Sequence, residues 1–211
     1  MASIRDEGAA GILLEVAAEI VANRAPLSEI DGLIGDGDHG VNMAKGFGRA
    51  AERIDAEDRL SSAMRTLSDV LMAEIGGSMG PLYGMMFAAM ADSLERAGTL
   101  DAATFGQMLR AGLEGIEEIG QAKVGDKTLL DAFVPALSAY DAALAQGQDF
   151  AAALDVLAHE AAAGRDRTVD MVARIGRAAR LGERSRGVAD AGATSCALIL
   201  TTLSRGVARR L

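Results

Sequence analysis

The chain has 211 residues, half of them hydrophobic, with 3% aromatics, no Trp and three Pro, a length that supports one sizeable domain where two would each have a marginal core. Twenty-one basic against thirty acidic residues give a net charge of −9. That balance argues against a nucleic-acid backbone or an anionic membrane as main partner, but not against a phosphorylated ligand, because a bound metal inverts the local field.

The apolar content is mostly Ala, Leu, Ile, Val and Met, and the shortage of aromatics favours helices over strands. Ile12, Val16, Ile20 and Val21 mark one face of a first helix, which ends at or just before Pro26. A glycine-rich break at 34–40 precedes a helical segment from about His39 to Ile54. Leu60, Met64, Leu67, Leu71 and Ile75 form the next stripe, and after a break at 75–84 Leu82, Met86, Ala89, Met90 and Leu94 form another. Phe105, Leu109, Leu113, Ile116 and Ile119 follow, tolerating Gly112 and Gly115. A third break at 120–127 leads to Leu130, Phe133, Val134, Leu137, Tyr140 and Leu144, where Pro135 predicts a kink because it lacks the amide donor.

Asp149 is placed to cap a helix carrying Phe150, Leu154 and Leu157. Val169, Val172 and Ile175 suggest a further helix; a fourth break covers 181–192, and Leu198, Ile199, Leu203 and Val207 mark the last helix. Eight or nine helices with no alternating segment predict an all-α antiparallel bundle in a single domain over residues 1–211. Cys196, the only cysteine, lies in the last helix's apolar run and reads as a core thiol, with no disulfide or thiolate zinc site. Residues 1–7 lack a basic segment leading into an apolar core, and no apolar run approaches the roughly 20 residues of a bilayer span, so a cytoplasmic location is expected.

The four breaks carry the chemistry. The first, Asp31-Gly-Leu-Ile-Gly-Asp36-Gly-Asp38-His39-Gly40-Val41-Asn42, holds three carboxylates that repel one another without a cation. Such oxygen ligands suit Mg²⁺, which keeps waters and shares phosphate oxygens with one or two carboxylates. An EF-hand does not fit, because its twelfth position would be Asn42 rather than Glu. His39 is placed either to hydrogen-bond a phosphate or merely to start a helix, and a base is not needed for transfer between phosphates. His159 lies far from these loops and reads as an ordinary histidine.

The second break, Gly76-Gly77-Ser78-Met79-Gly80-Pro81, runs into a helix start, a ready anion site but not a Walker loop. The third contains Gly125-Asp126-Lys127-Thr128, with Asp126 or Thr128 able to cap a helix. The fourth contributes Arg177 and Arg184, which could meet phosphate or offset neighbouring acids, and then Asp190-Ala191-Gly192. Alternate connections of an up-and-down bundle share an end, but counting these helices does not bring all four breaks to the same one.

Together, Gly35-Asp36-Gly37-Asp38-His39-Gly40, 76–84, 125–128 and 181–195 resemble, in order and over nearly the whole chain, the nucleotide-binding L subunit of dihydroxyacetone kinase. The resemblance implies a barrel of eight antiparallel helices with ADP or ATP and two Mg²⁺ at one end. It implies Asp31, Asp36 and Asp38 as Mg²⁺ ligands, with His39, Gly40, Val41, Asn42, Ser78 and Met79 at the phosphates. Gly120, Leu129 and Arg177 would bracket the adenosine, Asp190, Ala191 and Gly192 would close over the nucleotide, and no residue would act as a covalent nucleophile. Two positions depart from the family: Met79 stands where Ser is usual, and Ala191 replaces the Pro of Asp-Pro-Gly, which should loosen that loop.

As a short chain it resembles the phosphotransferase-coupled form. There ADP stays bound, a phosphohistidine protein rephosphorylates it, and the γ-phosphate passes to dihydroxyacetone on a separate K subunit; a homodimer is compatible with this. The competing expectations are a kinase of a related ketose or tetrulose, an ATP-dependent pair, and a nucleotide-sensing regulatory protein.

Overall fold

Eight of the nine predicted apolar stripes fold as helices in the computed structural model, which describes residues 2–211. They are α1 (Gly11–Ala22), α3 (His39–Ala51), α4 (Leu60–Glu74), α5 (Met79–Ala97), α6 (Ala102–Glu117), α7 (Leu130–Ala145), α8 (Phe150–Arg167) and α9 (Ala191–Ala208), with α2 (Arg24–Ile34) between the first two. Each of the eight packs on the next, and α9 returns to α1, so the ring closes, while α2 lies mainly against α3. The inward stripes meet in one core whose largest side chains include Phe47, Tyr83, Phe87, Phe105, Phe133 and Tyr140, all fully buried. Phe47 meets Phe87 edge-on, with ring centroids 5.9 Å apart, the arrangement the ring quadrupoles favour.

The expected all-α barrel is therefore borne out, with one small addition. Ile4–Arg5 (β1) and Thr99–Leu100 (β2) pair antiparallel, Ile4 opposite Leu100. Beside this ribbon the buried carboxylate of Asp6 accepts from the Ser61 amide (2.8 Å), the Ser61 hydroxyl (2.6 Å) and Arg59 Nε (2.9 Å). Asp6 thus caps α4 from 55 residues away.

Two helix expectations need correction. The first helix ends at Ala22, shortly before Pro26 as expected, but Pro26 is also the third residue of an additional helix, α2, where a missing N–H costs nothing because the first turn has no intrahelical acceptor. The helix went unseen because it buries only Leu27 and Ile34 and so shows no stripe. Residues 169–175 are not a helix: a 3-10 turn at Thr168–Asp170 gives way to irregular chain, and Ile175 is exposed. There the Ala173 amide donates to Ser185 Oγ (2.9 Å) and the Arg174 amide to the Asp126 carbonyl (3.1 Å). Helix α7 runs from Leu130 through Pro135 to Ala145.

Gly112 and Gly115 are required rather than tolerated. A Cβ on Gly115 would lie 2.7 Å from the Met85 carbonyl oxygen, and one on Gly112 would lie 2.8 Å from Met90 Cγ. Their absence lets α5 and α6 approach closely. Ile119 falls beyond the end of α6 and is exposed.

Counting only the ring, the glycine-rich breaks follow its first, third, fifth and seventh helices. Alternate connections share an end, so all four meet at one mouth, and the short plain turns close the other. In the sequence the stripe at 169–175 counts as a helix and moves the fourth break to the other parity; the structure removes it.

Candidate functional site

The four breaks surround one cavity of about 390 Å³ at that mouth. Its wall takes Asp31, Asp36, Asp38 and His39 from the first break, and Gly77, Ser78 and Met79 from the second. Gly120 and Leu129 come from the third, and Arg177, Asp190, Ala191 and Gly192 from the fourth. Gly40, Val41 and Asn42 are not part of the wall. Gly40 is instead buried against α2, where a Cβ would strike the Arg24 carbonyl and come within 2.6 Å of the Ser28 amide.

The acidic cluster is assembled by two elements. Asp31 sits in the last turn of α2 and Asp38 immediately precedes α3, with Asp36 in the turn between. Gly35 and Gly37 make the turn possible: a Cβ on Gly35 would collide with the Asp31 carboxylate, and Gly37 has φ +76°, a left-handed conformation natural to glycine. One carboxylate oxygen from each aspartate lies within 4.8 Å of the others, with Asp31 half-buried and its neighbours exposed. Three convergent hard oxygen donors at the edge of an open cavity fit a divalent cation such as Mg²⁺. Asp31 is further fixed by the His39 amide, which donates to its Oδ2 at 3.2 Å, and the Arg177 guanidinium meets Asp36 from across the mouth.

Met79 opens α5, with Ser78 before it and Pro81 third in the helix. Gly80 has no room for a side chain against the carbonyls of Leu71 and Ile75. The first amides of α5, free of intrahelical acceptors, therefore start at the cavity, a place suited to an anion.

Two groups of residues in the site went unassigned by sequence reasoning. His39 Nε2 lies 2.9 Å from Ser195 Oγ, which lies 2.7 Å from the Tyr83 hydroxyl; Tyr83 donates to the Gly192 carbonyl at 3.1 Å. This chain joins α3, α5 and α9 beneath the cavity. Burial pushes the His39 pKa down against the pull of Asp31, and burial raises that of Tyr83 far above the ordinary phenol. Neither Tyr83 nor Ser195 belongs to a recognisable local pattern, and only their pairing in space reveals them.

The second group is built on Asp131, buried in the first turn of α7, which accepts from the amides of Gly125 (2.5 Å) and Thr128 (2.7 Å). Asp131 thus holds the loop that leads into α7, while of the two expected caps Thr128 Oγ1 accepts from the Leu130 amide at 3.2 Å and Asp126 accepts from the Lys123 amide within its own loop. Lys127, in the turn so held, is 2% exposed. Its Nζ donates to the carbonyls of Met171 (3.1 Å), Ser185 (2.5 Å) and Val188 (2.7 Å). Burial lowers its pKa, and nearby Asp190 raises it.

Asp190 caps α9 by accepting from the Ala193 amide at 2.7 Å, while its own amide donates to Thr168 Oγ1 at 2.9 Å. Burial raises its carboxyl to about 6, against the opposing pull of the Ala193 amide and Lys127. Cys196, one turn into α9, is buried core, as its surroundings suggested. Among the described residues no helix is long and apolar enough to cross a membrane.

Comparison with known proteins places these features in a family. The DAK2 domain matches residues 33–205. The ADP-binding subunit DhaL of the PTS-dependent dihydroxyacetone kinase of Lactococcus lactis subsp. lactis is 38% identical over 194 residues, which cover 90% of this chain and 92% of that protein. The D-erythrulose kinase of Mycolicibacterium smegmatis is 34% identical over 217 residues, 97% of this chain but 37% of that protein. Among solved structures, the dihydroxyacetone kinase of C. freundii in complex with AMP-PNP and Mg²⁺ superposes with a TM-score of 0.68 at 27% identity, covering 93% of this chain and 33% of that one. The chain thus spans about a third of the two larger proteins and nearly all of the smaller one.

Proposed function

This chain belongs to the DAK2 domain family, and from that premise we propose that it is the nucleotide-binding subunit of a dihydroxyacetone kinase, carrying ADP or ATP on two Mg²⁺ and passing the γ-phosphate to dihydroxyacetone held by a separate K subunit. The observation that carries this reading is the meeting of four glycine-rich breaks, from alternate members of the ring, on one cavity edged by Asp31, Asp36 and Asp38. The proposed setting is cytoplasmic, with a phosphohistidine protein as donor.

When bound, Mg²⁺ would neutralise phosphate charge and hold the transferring group in line. Asp31, Asp36 and Asp38 are the residues that would hold it. Positioning and charge then fall to the chain's own groups. The α5 start at Ser78 and Met79 offers amides to a phosphate, and His39, steadied by Ser195, faces the same region. Arg177, beside Asp36, is assigned to the phosphate end rather than to the adenosine. Gly120 and Leu129 line the part of the wall proposed for the base, with Asp190, Ala191 and Gly192 closing the cavity. Gly40 supports the loop from behind, and Val41 and Asn42 extend the first turn of α3. No side chain is needed as a nucleophile, since the acceptor hydroxyl belongs to the sugar.

A related acceptor is the second reading. Identity to the D-erythrulose kinase, 34%, is close to the 38% to the dihydroxyacetone kinase subunit, so similarity alone does not choose the sugar. Mass spectrometry of nucleotide retained after dialysis, followed by assay with a K subunit and either sugar, tests both readings. Retained ADP and transfer to dihydroxyacetone are expected. Transfer to erythrulose alone favours the second reading, and failure to bind any Mg²⁺-nucleotide rejects both.

A further inference from the structure

Lys127 sits where a glycine-rich loop enters a helix, a place that invites assignment as a phosphate-binding lysine. Its hydrogen bonds exclude that role. An ammonium has three protons, and all three are taken by the carbonyls of Met171, Ser185 and Val188. These acceptors stand at the two stems of one segment that includes a 3-10 helix at Ala178–Ser185, Met171 where it leaves and Ser185 and Val188 where it returns. Between them lie Ile175, Gly176, Arg177 and Ala178, which form one wall of the nucleotide cavity.

The lysine is itself aimed by a built turn. Its φ is +64°, the one positive value among the described non-glycine residues, a conformation that a residue with a β-carbon adopts only when its surroundings enforce it. Asp131 enforces it by taking the amides of Gly125 and Thr128 on either side. The segment's other ties are Ser185 Oγ to the Ala173 amide, the Gly187 amide to the Val169 carbonyl, the Arg174 amide to the Asp126 carbonyl, the Arg186 guanidinium to the Asp170 carbonyl, and the exposed ion pairs Arg174–Asp126 and Arg177–Asp36.

We infer that Lys127 is a positioning residue, a latch that staples the two stems of the 171–188 segment together and so holds the 175–178 wall closed on the bound nucleotide. The latch sets how long the nucleotide stays rather than touching it. This role rests on the nucleotide reading above, but the stapling of the segment does not.

The segment reports its own release, because Arg174, Arg177, Arg180, Arg184 and Arg186 are trypsin sites within it. In Lys127→Met, trypsin cleavage between 174 and 186 is expected to accelerate at least tenfold. Release of a fluorescent ADP analogue in Mg²⁺ should accelerate by a similar factor, while helical circular dichroism stays unchanged. Lys127→Arg, which keeps the charge and several donors, should restore part of both. Cleavage and release within twofold of the parent chain would overturn the latch. So would a Lys127→Met chain that loses its helical circular dichroism together with the segment, since the lysine would then support the barrel and not the segment. If the parent chain binds no Mg²⁺-nucleotide, the functional reading fails, and the trypsin arm still decides whether Lys127 staples the segment.

Discussion

His39 and Ser195 stand 156 residues apart in the chain and 2.9 Å apart in the structure, imidazole Nε2 to hydroxyl. The bond ties the first turn of α3 to the start of the second turn of α9 at the barrel's mouth. Ser195 also reaches the buried Tyr83 hydroxyl, so the orientation of His39 is inherited from the core rather than chosen by solvent. Ser195→Ala should leave Tyr83 bonded to the Gly192 carbonyl and leave His39 free to turn. Loss of one such hydrogen bond is worth about 1 kcal/mol, so Mg²⁺-nucleotide affinity should fall about fivefold. Titration calorimetry on the variant checks this, and an unchanged affinity would remove His39 from the phosphate site.

Asp36→Asn and Asp38→Asn test the acidic cluster. Each replaces a charged oxygen donor by a neutral amide without changing size, in positions exposed to solvent where packing is not at stake. Mg²⁺-dependent retention of nucleotide should be lost in both, with thermal stability in metal-free buffer equal to the parent or slightly raised, since like charges are fewer. Retention surviving in both variants would refute the metal assignment.

Asp190 predicts a pH dependence. Its carboxyl is raised to about 6 by burial, against about 4 in an unfolded chain. Between those values the folded state keeps a proton that the unfolded state has lost. Stability from this group is therefore complete below about pH 4, falls as pH rises to about 6, and is constant above. Asp190→Asn keeps an oxygen for the Ala193 amide but cannot ionise. In metal-free buffer the parent should lose stability relative to the variant from pH 4 to 6, by roughly 3 kcal/mol at most. Melting curves of both chains at pH 4, 5, 6 and 7 measure it; a gap that does not change with pH would place the carboxyl in ordinary solvent.

What the amino-acid order discloses here depends on how local the cause is. The stripe Leu60, Met64, Leu67, Leu71 becomes the buried face of α4 because helical periodicity is written in neighbouring residues. The acidic cluster and the glycine turns are equally local. Helix α2 was missed because two buried residues make no stripe, and 169–175 was misjudged because three apolar residues there serve a loop whose amides bond to Ser185 and Asp126. The second of these alone conceals the parity that gathers the loops, because it adds a helix before the fourth break. Tyr83, Ser195 and Lys127 act through partners 44 to 156 residues distant, and such pairings leave no mark on the sequence nearby.

The closed end of the barrel makes the last prediction, separating stability from function. Asp6 is fully buried and gives its carboxylate to the amide and hydroxyl of Ser61 and to Arg59. Asp6→Ala would leave the first turn of α4 uncapped, the Ser61 amide unpaired in the interior and the Arg59 guanidinium without its buried partner. A lost cap costs about 1 kcal/mol and a stranded buried donor about 1–3 kcal/mol, so a loss of about 2–4 kcal/mol is expected in urea unfolding. Yet Asp6 lies at the end opposite the mouth, beside the strand pair and α4's start rather than α4's exit toward Gly76. The remaining folded protein should bind Mg²⁺-nucleotide with parental affinity. If affinity fell in step with stability, the two ends would be coupled through α4, and the site would not be the rigid assembly of four loops that its geometry describes.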